Sequence, residues 1–126
     1  MAEDSPNVDR FIRDHIDSVP HLEALLLLWR KAPTPSCVSQ IAEQLYVGHA
    51  EASDIAEDLE RRGLIARNAS GAFFFDTGKD ELNHQVHALD STYRRELIRI
   101  SGIIHSKASP GIRAFANAFR FRKDKS

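Results

Sequence analysis

The stretch "SQIAEQLYVGHAEASDIAEDLERRGLIAR", residues 39–67, decides the fold. Ile41, Ala42 and Leu45 recur at the spacing of one helical face, and Val38 extends that face backwards. Ser36 precedes them and is the expected N-cap of this helix. "YVGH" then interrupts the pattern, with Gly48 available for a positive φ. A second helix follows over residues 49–62, with Ala52, Ile55, Ala56 and Leu59 facing inward. Gly63 stands where a helix C-terminus favours glycine. "LIAR" leads out of it as a strand.

The segments on either side extend this plan. "LIAR" and "AFFFD" read as a hairpin joined by the turn residues "NASG". Strand alternation puts Phe73 and Phe75 on one face and Phe74 on the other. Upstream, Pro20 suits the first turn of a helix carrying Leu22, Leu25, Leu26, Leu28 and Trp29. That helix is apolar nearly all round, so it belongs in the centre of a core. "APTPS" ends it. Val8, Phe11, Ile12 and Ile16 place a short amphipathic helix over residues 7–17.

Downstream, Leu82, Val86, Leu89, Tyr93, Leu97, Ile100 and Ile104 step by three and four. This predicts one long helix with a heptad-like seam, a stripe suited to a second copy of the chain. "ASPG" breaks it. A last helix is expected beyond, with Ile112, Phe115, Ala116 and Phe119 on one stripe. The expected organisation is an arm and short helix over 1–19, a central module over 20–78, and a C-terminal long helix and basic terminal helix over 79–126. All three belong to one domain, which 126 residues suit.

Helix, helix, helix and a two-stranded wing resembles a winged helix-turn-helix module over residues 20–76. The chain further resembles the multiple-antibiotic-resistance regulator (MarR-like) family. Ile41, Ala42 and Leu45 match that family's "LA..L"-like first helix. Leu59, Arg62, Gly63, Leu64, Ile65 and Arg67 match its "L..RGLI.R" ending. The flanking helices are similar too, and in that family they build the dimer. The implied fold class is mainly α, a winged helix-turn-helix with a two-stranded β-wing and flanking helices. The implied function is transcription regulation by a homodimer on duplex DNA. Wing contacts would fall on Arg67, Asn68 and Ser70.

Two features depart from that pattern. The outward positions of the second helix of the pair include Glu51, Asp54, Glu57 and Asp58. Carboxylates near phosphate are repelled, whereas groove-reading helices present donors and cations. These acids form a solvated face, a docking face for a basic protein partner, or a base-reading set. The wing tip also lacks the arginine usual in the family, with only Arg67 behind it.

Charge is divided unevenly. Residues 1–63 hold 6 Lys/Arg and 12 Asp/Glu, and residues 64–126 hold 11 and 6, for −1 overall. Such a balance argues against a generic polyanion binder. The cations Arg113, Arg120, Arg122 and Lys123 interleave with phenylalanines near the C-terminus. That combination suits partner hot spots or nucleic-acid backbones.

Catalytic and metal signatures are weak. His84 and His87 stand three apart, but no HExxH or Cys/His cluster accompanies them. His15, Asp17, Ser18 and His21 include acid–base types, and capping accounts for them. Cys37 is the only cysteine, so no internal disulfide forms. The six glycines make no phosphate loop. The expectation is a non-enzymatic regulator without cofactor or metal, acting largely through protein contacts. The alternative is a MarR-like dimeric repressor using wing and tail. The polar start "MAEDSPN" and the shortness of "ALLLLW" point to a cytoplasmic protein without membrane contact.

Overall fold

The computed structural model describes residues 4–107, with side-chain burial for residues 7–106. The elements are α1 (Asp4–His15), α2 (Val19–Arg30), α3 (Val38–Leu45), α4 (His49–Arg61), β1 (Ala66–Arg67), β2 (Phe73–Phe74), α5 (Asp80–Arg95) and α6 (Leu97–Lys107). This is the mainly helical winged fold that the sequence predicts.

The centre is α2. Ser18 caps it by accepting from the His21 backbone N–H at 3.2 Å, and Pro20 lies in its first turn. Leu22, Ala24, Leu25, Leu26 and Leu28 are buried. They meet α3, α4, α5 and β2. Trp29 Nε1 donates to Asn83 Oδ1 at 2.8 Å, which ties the end of α2 to α5.

The start of α3 differs from expectation. Cys37 is the N-cap, and its N–H donates to Gln40 Oε1 at 2.9 Å. Ser36 instead exchanges both backbone hydrogen bonds with Phe73, at 2.8 and 2.9 Å. It is buried, and its hydroxyl lies 2.6 Å from Lys31 Nζ. Ser36 thus adds a bridge to the wing through its backbone, its hydroxyl is turned to Lys31, and the helix opens one residue later at Cys37. The turn after α3 also departs. Tyr46 takes the left-handed conformation, with φ 58 and ψ 45, while Gly48 is extended and caps α4. The left-handed position falls at the helix end itself, where the chain must reverse, and Gly48 comes two residues too late for it.

The other glycine expectation holds. Gly63 has φ +76 and closes α4. The wing pairs Ala66 with Phe74 and Arg67 with Phe73, antiparallel. Asn68 Oδ1 accepts from the N–H groups of Ser70 and Ala72 at 3.0 and 2.9 Å, which shapes the turn. Phe73 and Phe75 are buried in the core, and Phe74, on the other face, is half-buried.

The long helix is broken. Glu96 is non-helical, with φ −133 and ψ 49, and separates α5 from α6. The bend lets α6 pack on α1, where Arg99 Nη1 donates to Asp9 at 2.9 Å. The predicted seam is therefore not a continuous open stripe. Val86, Leu89, Ile100 and Ile104 are buried in the chain's own core beside Val8, Phe11, Ile12 and Ile16. Leu82 and Tyr93 are half-buried, while Leu97 is 53% exposed. The short α1 covers what the heptad pattern assigned to a second copy.

Candidate functional site

The helix-turn-helix pair is α3 and α4. Ala52, Ile55, Ala56 and Leu59 bury one face of α4. Its remaining positions lie at the surface or at the edge of the packed face. Glu51 and Asp54 are exposed there. Glu51 lies in the first turn, where the positive end of the helix dipole favours an acid. Glu57 is half-buried and accepts from Ser53 Oγ at 3.4 Å.

Asp58 does not belong to the outward face. Its Oδ2 lies 3.0 Å from His21 Nε2, and Arg61 bonds its other oxygen. His21 Nδ1 in turn lies 2.6 Å from Ser18 Oγ. Position 58 precedes the buried Leu59 and follows the buried Ile55 by three, so it sits at the edge of the packed face. There it meets the N-terminus of α2. The structure thus joins Ser18, His21 and Asp58, which the sequence leaves apart. Ser18 Oγ already accepts the capping hydrogen bond, so the chain of contacts reads as a brace between α2 and α4. Of the neighbouring candidates, Asp17 pairs with Arg62 at 2.7 Å, and His15 packs against the Phe11 ring.

Cations near this surface are engaged. Arg61 bonds Asp58, and Arg62 bonds Asp17 and the Asp14 carbonyl. Arg67 donates to Glu60 at 2.6 Å, and its guanidinium lies 4.7 Å above the Phe73 ring. The hydrogen bond to Glu60 raises the Arg67 pKa above the usual arginine value, against a smaller opposing desolvation. Asn68 Oδ1 serves the wing turn, while Ser70 is exposed at the tip. Within α4 five acids face one arginine. Arg113, Arg120, Arg122 and Lys123, with the apolar positions Ile112, Phe115, Ala116 and Phe119, lie outside the described residues.

Tyr46 escaped the sequence reading. Its side chain is 94% exposed. It stands beside a groove of about 400 Å³ lined by Leu27, Leu45 and Tyr93, with Glu23 and Arg30 also on it. Tyr93 O–H donates to Glu23 at 3.3 Å. Burial, and then the Glu23 charge, raise the Tyr93 pKa. Nothing in "LYVG" signals it, because the sequence offers Gly48 for the positive φ that Tyr46 takes.

On α5, His84 and His87 are exposed, and His87 meets the Trp29 ring edge-on. Among the described residues no group of three or more His, Cys, Asp or Glu could hold a metal ion. No described helix is long and apolar enough to cross a membrane.

No family model matches the chain. No curated protein matches it either. Solved structures do. A MarR family protein from Bacillus stearothermophilus is 16% identical, with a TM-score of 0.52 over 98% of this chain and 85% of that one. A MarR family transcriptional regulator from Silicibacter pomeroyi is 15% identical, with a TM-score of 0.53 over 98% and 87%. The YusO protein from Bacillus subtilis is 17% identical, with a TM-score of 0.51 over 99% and 86%. The described part of the chain has the MarR-like winged-helix fold.

Proposed function

We propose that this chain is a non-enzymatic winged-helix regulator, acting in transcription control largely through protein contacts in the cytoplasm. The observation that carries the reading is the charge of α4. Glu51 and Asp54 project outward, Glu57 stands beside them, and the nearby arginines are paired with acids. Such a face repels phosphate and attracts a basic partner surface. The docking acids are Glu51, Asp54 and Glu57, while Asp58 braces the helix that carries them. A homodimer is part of this reading. Leu97 and Ile98, 53% and 86% exposed at the α5–α6 corner, are apolar groups for it to bury.

The second reading is a MarR-like dimeric repressor that holds duplex DNA through Arg67, Asn68, Ser70 and the tail cations Arg113, Arg120, Arg122 and Lys123. The near-full-length likeness to MarR-family structures favours it, one of them described as a transcriptional regulator.

Selection from a random duplex pool, followed by titration of the best duplex at several salt concentrations, separates the two. The first reading expects only weak binding that salt removes without sequence preference. A selected duplex bound at physiological salt at least about a thousandfold more tightly than a scrambled one establishes the second.

A further inference from the structure

We infer that Tyr46 is the anchor by which the helix-turn-helix holds a basic protein partner. Its ring enters an apolar pocket on that partner, and Lys or Arg side chains around the pocket meet the acids of α3 and α4. The inference rests on the proposal that α4 is a protein-docking face, and it names the side chain on which the docking turns.

Neither backbone nor packing accounts for a tyrosine at this position. Tyr46 ends α3 in the left-handed conformation, with φ 58 and ψ 45. That region favours glycine or asparagine, because a Cβ there crowds the following carbonyl. The ring gains almost no burial in exchange, since the residue is 94% exposed. Among the described residues the other large exposed apolar side chains are Leu97 and Ile98, so Tyr46 is the one that the helix-turn-helix carries. A strained residue that buries almost nothing within its own chain is of use on contact with something else. Tyrosine suits such contact. Its ring covers a large area with few rotamers to freeze, and it is enriched in binding hot spots.

The surroundings say what the contact is. On one side of Tyr46 a shallow groove runs along Ala42 and Val47, both half-buried, with Glu43 and His49 also on it. Residues 32–60 hold six acids and no lysine or arginine. Asp58 is taken by His21 and Arg61, and Glu60 by Arg67. Glu43, Glu51 and Asp54 are exposed. Glu51, Asp54 and Glu57 follow one another at steps of three, so they continue the acidity along one side of α4. Glu51 stands in the first turn, where it meets the positive end of the helix dipole. On the other side of Tyr46, Glu23 and Arg30 line a second groove. Arg30 is held by Asp90, which Arg94 shares. Lys31 is turned to Ser36, ahead of the start of α3. Even with Arg30, Arg94 and Lys31 counted, the acids Glu23, Glu43, Glu51, Asp54, Glu57 and Asp90 outnumber the cations. Such a surface repels phosphate and attracts Lys and Arg, so the complementary partner is a basic protein rather than a nucleic acid.

A random peptide library displayed on phage, selected on the full chain, supplies the probe. The selected peptides are expected to carry Lys or Arg among apolar residues. Tyr46→Ala is expected to weaken their binding by at least about thirtyfold, the size of a hot-spot truncation. Glu43→Gln with Glu51→Gln is expected to weaken it less and to flatten its salt dependence. Tyr46→Gly is the folding control. Glycine takes the left-handed backbone without the Cβ clash, so Tm should not fall while peptide binding is lost as with alanine. Peptides that lose affinity on Glu51→Gln, Asp54→Asn and Glu57→Gln yet bind Tyr46→Ala as tightly as the natural chain would overturn the anchor and leave the docking reading of α4 standing. A selection that yields no basic peptides, or only peptides indifferent to both sets of substitutions, would overturn both. Tyr46→Ala that spares peptide binding but weakens a selected duplex, or lowers a dimer fraction in sedimentation, would give the position to nucleic acid or to a second copy and overturn the anchor as well.

Discussion

Asp58→Ala should destabilise the protein although Asp58 lies on the helix that bears the acidic surface. The structure gives the size. Asp58 is 31% exposed and His21 12% exposed, with 3.0 Å between Oδ2 and Nε2. A hydrogen bond to a charged group contributes about 1.5–3 kcal/mol when buried. Partial exposure reduces that to about 1–2 kcal/mol. Alanine is the better helix former by about 0.5 kcal/mol, which offsets part of the loss. The expected net cost is about 1 kcal/mol, a fall in Tm of about 3–5 °C for a chain of this size. Glu51→Ala and Asp54→Ala should each stay within about 0.5 kcal/mol, because both acids are exposed. Urea denaturation followed by Trp29 fluorescence measures all three. A double-mutant cycle with His21→Ala isolates the pair, with an expected coupling of about 1 kcal/mol. If Asp58→Ala were as harmless as Asp54→Ala and showed no coupling to His21, the brace between α2 and α4 would be refuted.

Other outcomes follow from burial, charge and titration. Ile100→Ala should cost about 2–4 kcal/mol in chemical denaturation, because Ile100 is fully buried in the chain's own core. Leu97→Arg should leave the monomer fold intact yet lower any dimer fraction in sedimentation, and a natural chain that stays monomeric at high micromolar concentration contradicts the dimer. Spectrophotometric titration should show a tyrosine phase above the usual range that Tyr93→Phe removes. A pKa raised on folding means that Tyr93 contributes stability below its unfolded pKa, and that this is lost as pH rises through the folded value. Replacing Arg113, Arg120, Arg122 and Lys123 by glutamine should weaken partner or nucleic-acid binding and flatten its salt dependence with little change in Tm. Full binding with the original salt dependence would remove the tail from either interface.

Periodicity carried most of the fold. The inward positions of α2 and α4 were readable because each helix buries one unbroken set of apolar residues, and Gly63 marked its turn through conformational freedom. The errors fall where tertiary contacts decide. Ser36 has the chemistry of an N-cap, yet Phe73, far along the chain, claims its backbone. The heptad steps from Leu82 to Ile104 are real, but periodicity does not say which helix fills a seam, and α1 fills this one. It also carries no sign of the break at Glu96, a residue with good helix propensity. In the candidate site the acidity of α4 was legible, whereas the partition of its acids was not. Only the packing of α2 against α4 reveals that Asp58 faces His21. Tyr46 went unnoticed because its exposure depends on one left-handed backbone position.

The central claim is that α4 is not a groove reader. Glu51→Gln, Asp54→Asn and Glu57→Gln together remove the outward acids and leave the Asp58 brace in place. Duplex binding of this variant and of the natural chain, measured by fluorescence anisotropy across salt concentrations on selected and scrambled duplexes, tests the claim most directly. The expected result is an unchanged preference between the two duplexes, with stronger salt-sensitive binding to both once the repulsion is gone. Loss of a preference that the natural chain possesses would mean that these carboxylates read bases, and would contradict the account.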